Sequence, residues 1–372
     1  MSDWFGKEVF KLGFGLMRLP KRENGFNDTE RVSYMVDRFI EAGGTYFDTA
    51  FVYDDGDSER VTKEALIDRH PRDSFTLCTK LNAGMPGLTE ETAKQQFYTS
   101  LERTGAGYFD YYLLHALSRN NVKFYEDFHI WDFVKEQKAK GLIRYYGFSF
   151  HGDPMLLDEL LTTHPDVDFI QLQINYVDWN NPGVASKECY EIARKHNVSM
   201  TIMEPLKGGA LANPNSEIKR LFKEAHPDLS VASWGIRYAA SLEGVITVLS
   251  GMSNEEQMED NLSYMKDFQP LNEEEYQVIA AVQKELEKDN SIQCTACKYC
   301  VKGCPMNIAI PGIFAVKNKE TGNWDGGRGA YQIATEGKGK ASDCIECGQC
   351  EDACPQHLPI IDLLKECRAL EK

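Results

Sequence analysis

Eight of the eleven cysteines in this 372-residue chain lie in two runs near its C-terminal end, and the two runs share one spacing. In each run, two residues lie between the first and second cysteines and two between the second and third, and a fourth cysteine follows after three intervening residues, directly before a proline. A short loop with this spacing directs three thiolates at one iron-sulfur cube, whereas the fourth points elsewhere. The runs are Cys294, Cys297, Cys300, Cys304-Pro305 and Cys344, Cys347, Cys350, Cys354-Pro355.

Both runs resemble those of two-cluster ferredoxins, in which the fourth cysteine of each run binds the other cluster. The resemblance implies two [4Fe-4S] clusters, and the helical patterns after each run resemble the α-helical ferredoxin variety. Tetrahedral zinc, which also uses CxxC pairs, is the alternative, but two complete runs closed by proline favour iron-sulfur. The implied ligand sets are Cys294, Cys297, Cys300 and Cys354 for one cluster and Cys344, Cys347, Cys350 and Cys304 for the other.

Composition narrows the possible partners and compartment. The formal net charge is −16, and because residues 291–372 carry ten basic and ten acidic side chains, the acidic excess lies before them. An acidic surface disfavours a nucleic-acid partner. The apolar runs are too short to span a membrane, and the first residues lack a signal-peptide pattern. We therefore expect a cytoplasmic protein, in an anaerobic or oxygen-protected setting, with no membrane partner.

The residues before the cysteine runs alternate short apolar segments with amphipathic segments, which is typical of βα repetition. Eight such units in about 250 residues match a (β/α)8 barrel, and no Gly-rich dinucleotide fingerprint follows the first strand. We predict an α/β fold: a (β/α)8 TIM barrel over 1–272, a linking helix over 273–290, and a smaller, mainly α-helical ferredoxin-like domain over 291–372. The predicted strands are 12–17, 45–49, 75–80, 111–115, 145–150, 169–175, 199–205 and 245–251.

Four titratable residues, Asp48, Tyr53, Lys80 and His115, fall at or just beyond the ends of the second to fourth predicted strands. In a (β/α)8 barrel these ends converge on the mouth where chemistry takes place. Singly, each residue has an ordinary explanation as a cap, a core group or a solvated charge. Together they resemble the catalytic tetrad of the aldo-keto reductase family over about residues 12–261, through the strings Asp48-Thr49-Ala50, Thr79-Lys80 and Leu113-Leu114-His115.

The resemblance implies a small carbonyl or alcohol substrate, with Tyr53 as general acid, Lys80 and Asp48 as its tuners, and His115 orienting the carbonyl. Tyrosine has a reference pKa of about 10, so we expect the neighbouring ammonium to lower the pKa of Tyr53. The substrate pocket is predicted to include Phe51, Phe150, His151 and Trp179.

The family resemblance also implies a nicotinamide site at the loops after the seventh and eighth strands. Ser253 is predicted to cap the helix whose amide N–H groups would hold a phosphate. The chain departs from the family pattern after the fifth strand, where the family usually has Ser-Asn and this chain has Ser149-Phe150-His151. It departs again at Met203, where a ring usually stacks on the nicotinamide. The candidate contacts are Ser149, Gln171, Pro205, Leu206, Gly208, Gly251, Ser253, Gln257 and Asn261.

The adenosine end of that site lacks the cations that often bind a 2′-phosphate. Gly251 and Gln257 stand in their place, beside Glu255 and Glu256. If a nicotinamide cofactor binds, NAD is therefore favoured over NADP.

Three functional hypotheses follow, because hydride transfer moves two electrons and each [4Fe-4S] cluster moves one. In the first, the barrel interconverts a carbonyl and an alcohol, and the clusters connect it, through a bound flavin or a radical step, to a soluble carrier of the ferredoxin or flavodoxin type. No flavin motif is visible. In the second, an NAD(P)-dependent reductase carries structural or sensing clusters. The third is a non-enzymatic redox sensor or electron-transfer protein, which the intact tetrad disfavours.

Overall fold

The computed structural model describes residues 9–288, 291–320 and 327–371. Eight parallel strands pair in sequence order and close into a barrel, which confirms the predicted (β/α)8 architecture. Their side chains are buried almost throughout, as expected for strands covered on both faces. The strands are β1 Leu12–Gly15, β2 Tyr46–Asp48, β3 Thr76–Leu81, β4 Phe109–Leu117, β5 Ile143–Phe150, β6 Phe169–Gln173, β7 Ser199–Met203 and β8 Val245–Ser250.

Helices connect the strands and cover the outside of the barrel. Several begin at a side-chain cap, as α6 does at Asp153, whose carboxylate accepts the backbone N–H of Leu156. The helices of this domain are α1 Thr29–Glu41, α2 Asp57–Thr62, α3 Glu90–Thr104, α4 Val122–Asp127, α5 Ile130–Ala139, α6 Pro154–Thr163, α7 Ser186–Lys195, α8 Ser216–Ala225, α9 Val231–Ala240, α10 Glu255–Met265 and α11 Glu273–Leu286.

Two hydrophobic layers hold the barrel together. The larger layer fills the space between strands and helices. The smaller layer lies inside the barrel, where Tyr46, Cys78, Tyr111 and Phe169 pack together. This aromatic filling closes the barrel interior, so polar side chains from the strand ends are confined to its mouth.

Helix α11, predicted as a linker, packs onto the barrel. Ile279 and Val282 belong to the outer hydrophobic layer, and Glu275 forms a buried ion pair with Arg237 of α9. The helix is thus part of the structure that the barrel presents to the cysteine-rich residues that follow.

The cysteine-rich domain, residues 291–371, is built from short helices around its own small core, which includes Ile313, Phe314 and Leu364. This confirms the predicted mainly helical second domain. Within the described residues, no helix combines the length and apolarity needed to cross a membrane. The helices of the cysteine-rich domain are α12 Tyr299–Lys302, α13 Ile310–Glu320, α14 Gly327–Ala334, α15 Gln349–Asp352 and α16 Ile360–Cys367.

Candidate active site and cysteine pockets

The four predicted catalytic residues converge at the barrel mouth. The ammonium of Lys80, on β3, lies 2.5 Å from a carboxylate oxygen of Asp48 and 2.7 Å from the carbonyl oxygen of Thr49. The ammonium nitrogen of Lys80 also lies 3.3 Å from the hydroxyl oxygen of Tyr53. Asp48 ends β2, and the short helical turn that follows carries Tyr53 back over Lys80. The structure therefore brings a phenol, an ammonium and a carboxylate into one hydrogen-bonded chain.

Tyr53 departs from the expectation that Lys80 lowers its pKa. Burial raises the pKa of Tyr53 well above its ordinary value, and the nearby charges of Asp48, Cys78 and Glu204 act in the same direction. Asp48 and the Thr49 carbonyl already engage the Lys80 ammonium, so its charge is compensated before it reaches the phenol. Tyr53 consequently holds its proton at neutral pH, as a proton donor must.

His115 completes the group from β4. Burial, followed by the charge of Lys80, lowers the pKa of His115 well below its ordinary value, so its imidazole is neutral. Its ring lies edge-on to the ring of Tyr53, with the centroids 5.8 Å apart. Its Nδ1 atom is buried without a hydrogen-bond partner among the described residues. A neutral imidazole beside a protonated phenol suits the recognition of a carbonyl oxygen by hydrogen bonding.

The eight C-terminal cysteines line two separate pockets. The first cysteine pocket is lined by Cys294, Cys297, Cys300 and Cys354, and the second by Cys304, Cys344, Cys347 and Cys350. Each pocket therefore takes three cysteines from one run and one from the other, which is the arrangement that the ferredoxin resemblance implied. Within the described ranges, no three His, Cys, Asp or Glu side chains approach closely enough to hold a single metal ion.

The first cysteine pocket faces the barrel mouth. Thr295, which lines this pocket, accepts a hydrogen bond from Arg18 through its backbone oxygen at 2.9 Å. Gln356 also lines it, and its amide exchanges hydrogen bonds of 3.1 and 3.2 Å with the amide of Gln173 at the end of β6. The same Gln356 oxygen accepts from the ammonium of Lys207 at 3.0 Å. Two residues of the pocket wall thus bind the ends of three barrel strands.

Further contacts extend this docking around the rim. Lys302 forms an ion pair of 2.5 Å with Asp55, in the loop after β2. Asp352 accepts a hydrogen bond from Asn120, beyond β4, at 3.2 Å. Tyr299, between Cys297 and Cys300 in sequence, is close to Tyr53: burial, followed by the neighbouring Tyr53, raises the pKa of Tyr299 well above its ordinary value. The cysteine-rich domain therefore covers the mouth that contains the tetrad.

Comparison with known proteins agrees with both halves of this arrangement. Residues 11–284 match the family model described as aldo/keto reductase family, which covers more than half of the chain. The chain belongs to the aldo/keto reductase family. Residues 293–358 match a second model, the 4Fe-4S dicluster domain. The protein is therefore an aldo/keto reductase-type oxidoreductase with a 4Fe-4S dicluster domain.

Relatives of this aldo/keto reductase are distant in sequence, and the match covers most of their own length. An uncharacterized oxidoreductase of Bacillus subtilis, YqkF, is 26% identical over 313 residues, covering 76% of this chain and 94% of its own. The glyoxal reductase of Bacillus subtilis is 27% identical, covering 76% and 89%. Among solved structures, the holo form of aldo-keto reductase AKR11C1 from Bacillus halodurans is 27% identical, covers 73% of this chain and 91% of its own, and superposes with a TM-score of 0.60.

The predicted nicotinamide contacts of this reductase hydrogen-bond largely to the protein itself. The amide nitrogen of Gln171 lies 3.3 Å from Asp48 and 3.4 Å from the hydroxyl of Thr201. Ser149 accepts the backbone N–H of Ala116 at 2.7 Å. Asn261 is buried and donates to the hydroxyl of Ser250. Pro205 and Leu206 pack against Gly235 of α9. A nicotinamide site at these residues stays a prediction.

One predicted cap is corrected by the structure. The N-cap of α10 is Asn254, whose side chain accepts the backbone N–H of Gln257, and Ser253 lies one residue before it. Both residue types favour N-caps, so composition alone does not decide between neighbours.

Two of the predicted pocket aromatics pack against other aromatic rings. Phe150 belongs to the outer hydrophobic layer, where its ring packs 6.1 Å from Phe148. Strand alternation turns its side chain away from the mouth, so the pocket prediction is wrong for Phe150. Trp179 packs between Tyr190 and Tyr238. Its place in a substrate pocket stays a prediction.

The other two pocket candidates stay at the rim. The guanidinium of Arg103 lies 4.4 Å from the centre of the Phe51 ring. His151 is partly buried, and burial followed by the charge of His357 lowers the pKa of His151 to about 4. Because His357 belongs to the cysteine-rich domain, His151 lies where the two domains meet.

Sequence reasoning missed the residues that join the domains. Arg18 and Thr295 belong to no recognised motif. Gln356 lies between Cys354 and the Leu358-Pro359 step, and nothing in that context marks it as a contact residue. Tyr299 had a signal, since an aromatic residue inside a cysteine run must lie near the pocket that the run forms.

The crossed cysteine sets predict how paired cysteine variants behave. Cys294→Ser and Cys354→Ser should each remove about half of the bound iron, from about eight to about four atoms per chain. The double variant of Cys294→Ser with Cys354→Ser should still retain about four iron atoms, because both residues line the first cysteine pocket. Cys354→Ser with Cys344→Ser should lose nearly all iron. Iron analysis and the visible spectrum of anaerobically purified protein measure this.

Cys189→Ala, at a buried cysteine in the barrel domain, is the control and should keep all iron. If Cys354→Ser combined with Cys344→Ser retained the iron of a single variant, the two runs would each form their own site, and the crossed arrangement would be wrong.

Proposed function

We propose that this aldo/keto reductase interconverts a small carbonyl compound and its alcohol, with Tyr53 as general acid and base and two [4Fe-4S] clusters relaying electrons. The observation that carries the proposal is the docking of the first cysteine pocket on the barrel mouth through Thr295 and Gln356. Electron transfer needs proximity between donor and acceptor, and a purely structural cluster domain has no need to cover an active site.

The barrel supplies the acid and the alignment. A carbonyl oxygen placed between Tyr53 and His115 would accept hydrogen bonds from the protonated phenol and from the neutral imidazole. Lys80 would stabilise the phenolate left after proton transfer, since its ammonium is 3.3 Å from the phenol oxygen and is itself held by Asp48. Each of these contacts strengthens as negative charge develops on the oxygen, which is what catalysis requires.

Two clusters would together supply the number of electrons that reduction of one carbonyl group requires. The carbonyl takes up two electrons and two protons: the π bond breaks, Tyr53 gives one proton to oxygen, and a second proton from water forms the new C–H bond. Each [4Fe-4S] cluster supplies one electron when bound by its four cysteines. In the alcohol-oxidising direction the same groups act in reverse, with the phenolate as base.

Electrons would reach the protein at the second cysteine pocket. Cys347, which lines that pocket, is exposed, and the neighbouring Ile345 has 59% of its side chain accessible. A soluble carrier of the ferredoxin or flavodoxin type therefore has access to this end of the domain, while the first pocket faces the barrel. A bound flavin as intermediary remains a hypothesis, which mass analysis of extracted small molecules would decide.

Tyr53→Phe tests the tetrad. Glyoxal is a suitable first substrate because a curated relative of 27% identity is described as a glyoxal reductase. With a chemically reduced viologen dye as donor, the variant should reduce glyoxal about 10²- to 10⁴-fold more slowly, because the carbonyl oxygen loses its acid. Its cluster spectrum should be unchanged.

Tyr34→Phe, at an exposed tyrosine of α1, removes a phenol far from the mouth and should leave the rate unchanged. Full activity of Tyr53→Phe would exclude the tetrad mechanism.

The pH dependence follows from the raised pKa of Tyr53. A phenol with a pKa above its ordinary value stays protonated below about pH 10, so carbonyl reduction should vary little between about pH 6 and about pH 9. Alcohol oxidation needs the phenolate and should become faster as the pH rises over the same range. Initial rates in both directions, with a dye whose reduction takes up no proton, measure this. A reduction rate that falls with a midpoint near neutral pH would contradict the assignment of Tyr53.

A further inference from the structure

We infer that the crevice between the loops after β7 and β8, which would hold the phosphates of a nicotinamide dinucleotide, is filled by the chain itself, with the Glu204 carboxylate in the place of the phosphate anion. The inference concerns binding alone and does not depend on the reaction that the barrel catalyses. It explains why a barrel of this family is joined to a second redox module.

Three consecutive backbone N–H groups in the loop after β7 are hydrogen-bonded within that loop. The backbone N–H of Gly208 donates to a carboxylate oxygen of Glu204 at 2.5 Å. The N–H of Lys207 bonds to the carbonyl of Glu204 at 3.0 Å, and that of Gly209 to the carbonyl of Leu206 at 2.9 Å. An anion site needs N–H groups that converge without partners. In this loop the three consecutive groups from 207 to 209 are all engaged.

The backbone conformation of Glu204 supports a specific role for its side chain. Its φ is +56°, a left-handed value that non-glycine residues seldom adopt. Such a conformation persists where surrounding contacts hold it. Here the carboxylate folds back onto Gly208 and fixes the turn, so the strained residue is also the one that supplies the internal anion.

In the segment after β8, two backbone N–H groups are engaged by side chains of the same segment. The N–H of Ser253 donates to the side-chain oxygen of Gln257 at 2.8 Å. The N–H of Gln257 donates to the side-chain oxygen of Asn254 at 2.9 Å. The first turn of α10 also carries two carboxylates: that of Glu255 is ion-paired with Arg31, and that of Glu256 is exposed. Both loops that would hold a dinucleotide therefore contain N–H groups that are hydrogen-bonded within the chain.

The space between the loops is also occupied. The aliphatic part of Arg18 packs over Gly251 at the end of β8, 3.5 Å from where a Cβ of residue 251 would lie. Its guanidinium extends to the carbonyl of Thr295. Thr295 in turn lies on Gly208, where an added Cβ would come within 2.6 Å of the same carbonyl oxygen. One continuous chain of contacts thus crosses the crevice from β8 to β7.

The residues present therefore do not fit a nicotinamide dinucleotide bound in the manner of the family. Binding would require the Glu204 carboxylate to leave Gly208, and Arg18 and Thr295 to separate. The internal anion and the docked domain exclude the same ligand by different means, one through charge and the other through volume.

Calorimetry on the cluster-loaded protein tests this, with NADH, NADPH and inorganic pyrophosphate titrated separately. The wild type should show no saturable binding of any of the three up to about 1 mM, the upper end of ordinary substrate affinities. Glu204→Ala frees the N–H of Gly208 and removes a negative charge. It should bind pyrophosphate at least about tenfold more tightly than the wild type, as expected for one restored charge-assisted hydrogen bond.

Two further variants make the comparison specific. Glu204→Gln keeps a side-chain oxygen that can accept the N–H of Gly208. This variant should therefore bind pyrophosphate no more tightly than the wild type. Glu102→Ala removes an exposed carboxylate from α3, outside the two loops, and should behave as the wild type. Glu204→Ser is prepared in parallel, and the visible cluster spectrum confirms that each variant has folded.

Saturable binding of NADH or NADPH to the wild type below about 1 mM would overturn the inference. Folded Glu204→Ala or Glu204→Ser that gained no affinity for pyrophosphate would overturn the role of Glu204. Neither result depends on turnover, so each is distinguishable from a failure of the proposed reaction.

Discussion

The carbonyl of Thr295 lies on Gly208 and accepts a hydrogen bond from Arg18, and the docking of the two domains depends on this contact. Only a residue without a side chain permits the approach, because a Cβ at position 208 would lie 2.6 Å from the Thr295 oxygen. The φ of Gly208, +66°, is also one that glycine adopts readily. The contact places the first cysteine pocket against the mouth of an aldo/keto reductase barrel, and the proposed use of cluster electrons follows from that placement.

Burial sets the protonation states at the mouth. It raises the pKa of Tyr53 and lowers that of His115, so the resting site holds a protonated phenol and a neutral imidazole. Lys80 forms a buried ion pair with Asp48 next to them. A site with one compensated ion pair and two neutral hydrogen-bonding groups is suited to an uncharged carbonyl substrate. In the proposed mechanism the tetrad would therefore act through fixed hydrogen bonds, whatever the source of the electrons.

Local patterns predicted the barrel, because hydrophobic alternation and turn residues act over few residues. The tetrad and the crossed grouping of the cysteines were predicted from resemblance to known families, which the local strings and spacings carry. The docking could not be predicted in this way. Arg18 and Thr295 are 277 residues apart, and the acceptor is a backbone carbonyl that leaves no trace in the residue type. Phe150 was assigned to the wrong side although the alternation that sends Ser149 inward turns its neighbour outward. The prediction that Lys80 lowers the pKa of Tyr53 was wrong, because burial outweighs the charge of Lys80, which the Asp48 carboxylate already compensates.

The central claim is that electrons held in the cysteine-rich domain reach a carbonyl bound in the barrel. The direct measurement is a single turnover under anaerobic conditions: the protein is reduced, freed of reductant and mixed with a small carbonyl compound, and the clusters are followed by EPR and visible absorption while alcohol is quantified. The account predicts that the clusters are reoxidised as fast as alcohol appears, with two electrons lost for each molecule formed. Clusters that stay reduced while alcohol forms only after addition of NADH or NADPH would contradict it.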